Sequence, residues 1–329
     1  CLISLTVFYR LDDAQSPLRL TNITLRTLTY KEGMLQLLTE LIAHALTFNS
    51  NLKFISSTEL LELFFDNSVD PPELVNESLN QVIDGVLIQS LKYINNPLNV
   101  AQDSTQMNTN HSLISPLKEN ETVFAIDYCS SANTPCINDA RSNYLNRDII
   151  GLIHPYTVTD IDADFPDVIN ESTTSEITSL DDTDLQNFIF LETPFTNMVN
   201  QLSTSNYDMI IMTPFTSADW STLFTSDQVT NLKTKENGTS SRLVYAYIDV
   251  AKLFKTNSFY WNSDWAEVDN RPNWIDQNVS TDSDDFYIKY WRDDWKTIVK
   301  SILDDVVAKG YDGIVFGSGE NYAKYPMSE

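Results

Sequence analysis

Residues 294–316 join an amphipathic helix to a tight turn and a short apolar strand, and this unit constrains the fold more than any other part of the chain. Trp295, Ile298, Val299, Ile302, Val306 and Val307 recur with a 3.6-residue period, so one face of the helix is apolar. Lys309-Gly310 then reverses the chain into the strand-like run Gly313-Ile314-Val315-Phe316. The same alternation runs from end to end. Strand-like runs fall at 5–9, 52–56, 85–89, 123–128, 149–154, 188–192, 209–213, 243–249 and 313–316. The clearest helices are 31–46 and 294–309, with shorter ones at 57–65, 138–146, 196–203 and 226–235. Strands alternating with helices predict an α/β fold with a parallel sheet or barrel. Two segments read as structureless: the polar stretch 95–120, which contains Pro97 and Pro116, and the acidic, Ser/Thr-rich stretch 157–184.

With 329 residues and 42% hydrophobic side chains, the chain can bury a sizeable core in one or two domains. Its net charge of -25 makes nucleic acid and anionic membrane surfaces poor partners. No stretch reaches the roughly 20 apolar residues of a membrane span. Residues 1–10 lack the basic start and cleavage site of a signal peptide. Cys1 is a candidate for lipid anchoring, with a processed or cut boundary as the alternative. Cys129 and Cys136 share a Ser/Asn/Pro-rich loop, where a local disulfide is expected in a secreted protein and two thiols in a reduced one. Sequons occur at Asn22, Asn76, Asn110, Asn120, Asn170, Asn237 and Asn278, which favours a secreted or surface glycoprotein.

Chemistry is harder to find. The three histidines, His44, His111 and His154, show no metal-ligand spacing. Asp160, Asp162 and Asp164 alternate, but the glycine and the closing Glu of a calcium loop are missing. No nucleophile elbow or phosphate loop is present, so no metal or cofactor is expected. The aromatic residues Tyr247, Trp261, Trp274, Tyr290, Trp291 and Trp295 could stack on sugar rings or fill a core, and the helix periodicity assigns Trp295 to the core.

Particular runs carry a family resemblance. In the second half these are Tyr207-Asp208-Met209-Ile210-Ile211-Met212, then Leu243-Val244-Tyr245-Ala246-Tyr247-Ile248 continuing to Trp261, then Tyr290-Trp291 through Tyr322. In the first half they are Lys53-Phe54-Ile55-Ser56, Val82 to Ile88, Val123-Phe124-Ala125-Ile126-Asp127-Tyr128, and Ile150 to Tyr156. Together they resemble glycoside hydrolase family 114, secreted barrels similar to endo-alpha-1,4-polygalactosaminidases. The resemblance implies a (β/α)8 TIM-barrel-like fold whose strands five to eight precede strands one to four. Thr6-Val7-Phe8-Tyr9-Arg10 looks like a second copy of strand four. Two arrangements are left open. One is a circularly permuted barrel. The other is two half-barrels from tandem domains, residues 1–156 and 187–329 joined by a linker at 157–186, each closed by a neighbouring segment or by further copies in a homopolymer or filament.

The resemblance also implies acids that this chain lacks. Where the family has an Asp after strand four stands Gly317, or Arg10 in the N-terminal copy. The strand-six Glu is Gln89, the strand-three carboxylate is Lys252, and the strand-two acid is Thr213. Hydrolysis of a glycosidic bond usually needs two carboxyl groups. The expectation is therefore a degenerate, non-catalytic barrel at the cell surface or outside the cell. It would be structural or would bind carbohydrate through Asp127, Tyr128, Tyr247, Trp261, Trp291 and Tyr322. The alternative is an active endo-acting hydrolase of an amino-sugar polysaccharide, using acids such as Asp127, Glu320, Asp249 or Asp13.

Overall fold

The computed structural model describes residues 29–319 apart from 62, 64, 67–72, 75–81, 118–120, 156–157, 159, 162–173, 258–259 and 279–284. The expected strand at 5–9 lies outside them, as do Cys1, Arg10, Asp13, Asn22, Asn76, Asn120, Asn170, Glu320 and Tyr322.

Eight parallel strands form one sheet: β1 (Lys53–Ser57), β2 (Gly85–Gln89), β3 (Thr122–Tyr128), β4 (Ile150–His154), β5 (Phe188–Leu191), β6 (Met209–Met212), β7 (Leu243–Asp249) and β8 (Gly313–Gly317). Their order in the sheet is β4-β3-β2-β1-β8-β7-β6-β5. Chain order is thus kept around a nearly closed barrel. The last strand, β8, is laced to both β1 and β7, so the two halves of the chain share one sheet. Strands β4 and β5 lie side by side but carry no ladder hydrogen bonds, leaving one seam. Residues 174–186 of the acidic connection between them have no helix or strand. They nevertheless bury Ile177, Leu180 and Leu185, and Ile177 N donates to Ser241 O at 3.1 Å.

Helices cover the outside: α1 (Tyr30–Leu46), α2 (Thr58–Leu61), α3 (Ser104–Leu117), α4 (Thr134–Leu145), α5 (Met198–Ser203), α6 (Ser226–Leu232) and α7 (Asp293–Lys309). A capping box starts α1. The Thr29 hydroxyl accepts from Glu32 N at 3.2 Å, and Thr29 N donates to the Glu32 carboxylate at 2.7 Å. Gly310, at φ 83°, ends α7 in the left-handed conformation that L side chains avoid. Helices α1 and α7 pack together, joined by Lys296 to Glu40 at 2.9 Å and His44 to Asp304 at 2.7 Å.

The structure revises several boundaries. The supposedly structureless stretch 95–120 contains α3. Asp103 caps it through Thr105 N and Gln106 N, both at 2.9 Å, and it buries Asn110, Leu113, Ile114 and Leu117. Its first turns are polar because they face solvent, which hid the helical period. The helix expected at 57–65 shrinks to α2, while α4 begins four residues early because Asn133 caps it. Between β7 and α7 lies an element with no counterpart in the expected pattern, a small antiparallel sheet of Lys252–Phe254, Asp285–Ile288 and Ile275–Asn278.

Register is set at the barrel floor. Asp84, Asp208 and Asp312 each immediately precede a strand and reach sideways to the neighbouring one. Asp84 accepts from Phe54 N at 2.9 Å and from the Lys53 ammonium at 2.6 Å. Asp312 accepts from Val244 N at 2.9 Å and from Lys233 at 2.6 Å. Asp208 accepts from Gln186 N, Asn187 N and the Asn187 amide, and pairs with Lys235 at 2.6 Å with both side chains fully buried.

The Asp208–Lys235 pair generates a prediction. Removing one member of a buried pair strands the other charge, a loss of roughly 3–5 kcal/mol. Asp208→Ala should show that loss in urea unfolding, and Asp84→Ala, at a partly exposed pair, should lose distinctly less.

Candidate functional site

Alternation along the strands decides what reaches the barrel mouth. Phe124 and Phe188 meet edge to face across the interior at 5.1 Å, as do Phe190 and Tyr247 at 5.1 Å. These rings are inside the barrel, so Tyr128, two residues beyond Ile126 on the same face, points inward as well. Its hydroxyl donates to the Gln89 side chain at 2.9 Å. The strand-six position is thereby occupied by an amide already engaged to a neighbour.

The strand-four position is filled in another way. A Cβ on Gly317 would lie 2.0 Å from the Tyr247 hydroxyl. The tyrosine therefore takes the space through which any side chain at 317 would have to leave the backbone. Burial pushes the Tyr247 hydroxyl well above its ordinary range, and the negative charges of Glu192, Asp249 and Glu59 push it further. This hydroxyl stays protonated and feels the charge of three carboxylates. Ser57 donates to Glu59, and Ser318 donates to Asp249.

One pocket opens at the ends of β6 and β7. It brings together Thr213 and Lys252, two of the positions where the resemblance implies acids, with Tyr247, Asp249 and Asn257. Phe215, Trp220, Phe254 and Tyr260 wall it, with Phe215 5.5 Å from Trp220 and Trp220 stacked 5.6 Å from Phe254. Thr213 is 1% exposed, and its hydroxyl has no hydrogen-bond partner among the described residues.

Other expected binding residues lie elsewhere. Asp127 is fully buried and faces outward, away from the mouth, because it alternates with the inward Ile126 and Tyr128. It accepts from Lys92 N at 2.6 Å and Tyr93 N at 2.7 Å. The Tyr144 hydroxyl lies beside it and donates to Leu152 O at 3.1 Å. Asp127 thus anchors the loop after β2 rather than a ligand. Trp261 stacks on Phe286 at 4.9 Å and meets Trp265 edge on at 5.8 Å. Trp291 packs on Tyr30 at 5.0 Å and Tyr290 at 5.1 Å. Both tryptophans are half-buried and neither lines the pocket. Trp274, Tyr290 and Trp295 are core, and the Trp295 indole donates to Val250 O at 2.8 Å.

Cys129 and Cys136 form a disulfide. Asn110 is buried in α3 and accepts from Gln106 at 3.0 Å, so the folded chain does not present this sequon for modification. Asn237 is exposed in a turn, its Oδ1 accepting from Thr239 N and Ser240 N at 2.9 Å. Among the described residues no group of three or more His, Cys, Asp or Glu side chains is arranged to hold a metal ion, and no helix is long and apolar enough to cross a membrane.

Sequence reasoning missed Glu59 and Glu192 as mouth residues. Each is a charge placed just after an apolar strand, which is the available signal. It also missed Trp220, held at φ 55° in a loop without periodicity.

No protein-family profile matches the chain. An uncharacterized protein of Methanocaldococcus jannaschii is 24% identical over 117 residues, 35% of this chain and 31% of that protein. An uncharacterized protein of Thermotoga maritima is 33% identical over 69 residues, 21% of this chain and 20% of that protein. The matched segments span less than a third of these curated relatives.

Two predictions follow from this geometry. Gly317→Asp should destabilise the fold, while the same change combined with Tyr247→Ala should recover part of the loss, a non-additivity that thermal unfolding of the four variants would measure. The second concerns pH. Burial raises Asp127 to about 7 and Glu121 to about 8, above their unfolded values. Both are favoured protonated in the folded state, so their stabilisation is complete below about pH 4 and is lost as pH rises through 7 and 8. Asp127→Asn, which mimics the protonated form, should flatten the decline between pH 5 and about 8 in chemical unfolding.

Proposed function

We propose that this chain is a degenerate, permuted barrel of the glycoside hydrolase family 114 kind that binds glycans outside the cell or at its surface without cleaving them. The observation that carries this reading is the Tyr247 hydroxyl lying over Gly317, in the space a strand-four carboxylate would need. Gln89, held by Tyr128, supports it at the strand-six position, because an amide does not exchange a proton near neutral pH. The disulfide supports an oxidising compartment. The lacing of β8 to β1 pairs the strands that the resemblance numbers four and five across the two halves, which favours permutation over two separate half-barrels.

One observation favours the alternative, a working endo-hydrolase of an amino-sugar polysaccharide. The charges of Glu59, Glu192 and Asp249 all act on the Tyr247 hydroxyl, which places carboxyl groups near the mouth at positions outside the expected pattern.

Incubation with neutral and amino-sugar polysaccharides separates the two. Under the binding reading, affinity electrophoresis shows retardation and no new reducing ends form. New reducing ends that disappear in Asp249→Asn would establish the hydrolase instead. Absence of both retardation and cleavage would refute glycan recognition altogether.

A further inference from the structure

The hairpin that follows β2 is held at its base by a carboxyl group with one engaged oxygen and one unanswered oxygen. Residues Tyr93 and Ile94 pair antiparallel with Ala101 and Val100, just beyond Gln89 at the mouth end of the sheet. Asp127 Oδ1 accepts from both Lys92 N and Tyr93 N, at 2.6 and 2.7 Å. Asp127 Oδ2 is buried and has no hydrogen-bond partner among the described residues. The Tyr144 hydroxyl lies beside the carboxyl group and directs its own proton to Leu152 O at 3.1 Å. Toward Asp127 it can therefore only accept. These directions are satisfied when Oδ2 carries a proton and donates it to the Tyr144 oxygen. An ionised Asp127 would instead bury a charged oxygen without a donor, which is costly.

The surrounding groups leave that choice to Asp127. The Lys92 ammonium pairs with Asp139 of α4 at 2.6 Å, and the Tyr93 hydroxyl donates to the same carboxylate at 2.6 Å. These contacts hold Asp139 below the usual carboxylate range. The β4 residue in register with Asp127 is the apolar Ile153. Burial pushes Tyr93 up to about 12 and Tyr144 higher still. Burial also holds His111 of α3, which feels Lys92 and Arg147, below its ordinary range. Asp127, raised to about 7 by burial, is thus the group beside the hairpin that changes charge near neutral pH.

We propose that Asp127 is a proton-operated latch on residues 91–94: protonated, it holds the base of the hairpin against β3 and α4, and loss of the proton releases it and loosens the rim of the mouth beside Gln89. Release is local, because the far end of the hairpin has its own ties. Asn99 N donates to Tyr128 O at 3.2 Å, and Ser130 N donates to Asn99 Oδ1 at 2.8 Å. The folded group holds its proton more tightly than the unfolded one. Closure is therefore complete below about pH 4 and is lost as pH rises through about 7. The latch is independent of what the mouth binds.

Hydrogen exchange on the intact chain tests this. Corrected for intrinsic base catalysis, exchange of the Lys92 and Tyr93 amides should speed up roughly tenfold between about pH 6 and pH 8. Amides of α7 report global unfolding and should show no such excess. Asp127→Asn places a permanent donor where the proton was, so the excess should vanish. Tyr144→Phe removes the acceptor and should move the midpoint to lower pH. Equal corrected exchange at both pH values in the parent would overturn the latch. So would an excess that persists in a folded Asp127→Asn variant, or an unchanged midpoint in a folded Tyr144→Phe variant. If neither variant folds, the carbon NMR shift of the Asp127 carboxyl group in the parent decides. Titration in step with the two amides supports the latch, and a carboxyl group already ionised at about pH 5 refutes it.

Discussion

The aspartates at the barrel floor are the constraint on which the rest depends. A parallel ladder can slide, and a one-residue slip turns every inward side chain outward. Asp84, Asp208 and Asp312 oppose that slip by binding the first amides of the adjacent strand, each with a lysine to offset the charge. Because the anchors lie on β2, β6 and β8, the register is held at separate places around the ring. What arrives at the opposite end is then determined. Gln89, Tyr128 and Thr213 sit on inward positions of the mouth because strands fixed at the floor deliver them there.

At that mouth, glycine and tyrosine act as complementary shapes. A Cβ at Gly313 would meet the Tyr245 ring at 2.1 Å, and one at Gly317 would meet Tyr247. The tyrosines of β7 lean over β8 and fill the interior with aromatic bulk. This packing fills the space at Gly313 and Gly317 with the neighbouring rings. It also ties position 317 to the core, since placing a side chain there requires repacking a buried ring. The pocket between β6 and β7 is walled by Tyr247 itself, by α7 residues and by the inserted antiparallel sheet.

Much of the architecture was legible in the sequence. Eight of the expected strands appear close to their expected bounds, since each is a short apolar run bounded by turn residues. Helices α1 and α7 kept their period because each buries one continuous face. Legibility failed where a signal was split. In α3 only the last turns are buried, so Leu113, Ile114 and Leu117 alone carry the pattern. The inserted sheet depends on pairings between distant residues such as Lys252 and Tyr287, which no local window contains. At the site, Thr213, Lys252, Gln89 and Gly317 were identifiable as positions through the resemblance. Asp127 was misjudged because a carboxylate near a strand end can face either way. One residue of phase separates the mouth from the outer layer, and here the phase placed Asp127 under Tyr93.

The seam between β4 and β5 gives the barrel a mechanical direction. Seven of its interfaces are stitched by main-chain hydrogen bonds, and at the eighth β4 and β5 meet without them. A ring with one unstitched joint is compliant there and stiff elsewhere. His154 and Glu192 stand at the ends of the two strands that border the joint. Small outward strains are therefore absorbed between those two residues, on the side of the mouth away from β8. The β6–β7 pocket stays on the stiff arc, where its geometry can be kept while the far lip yields.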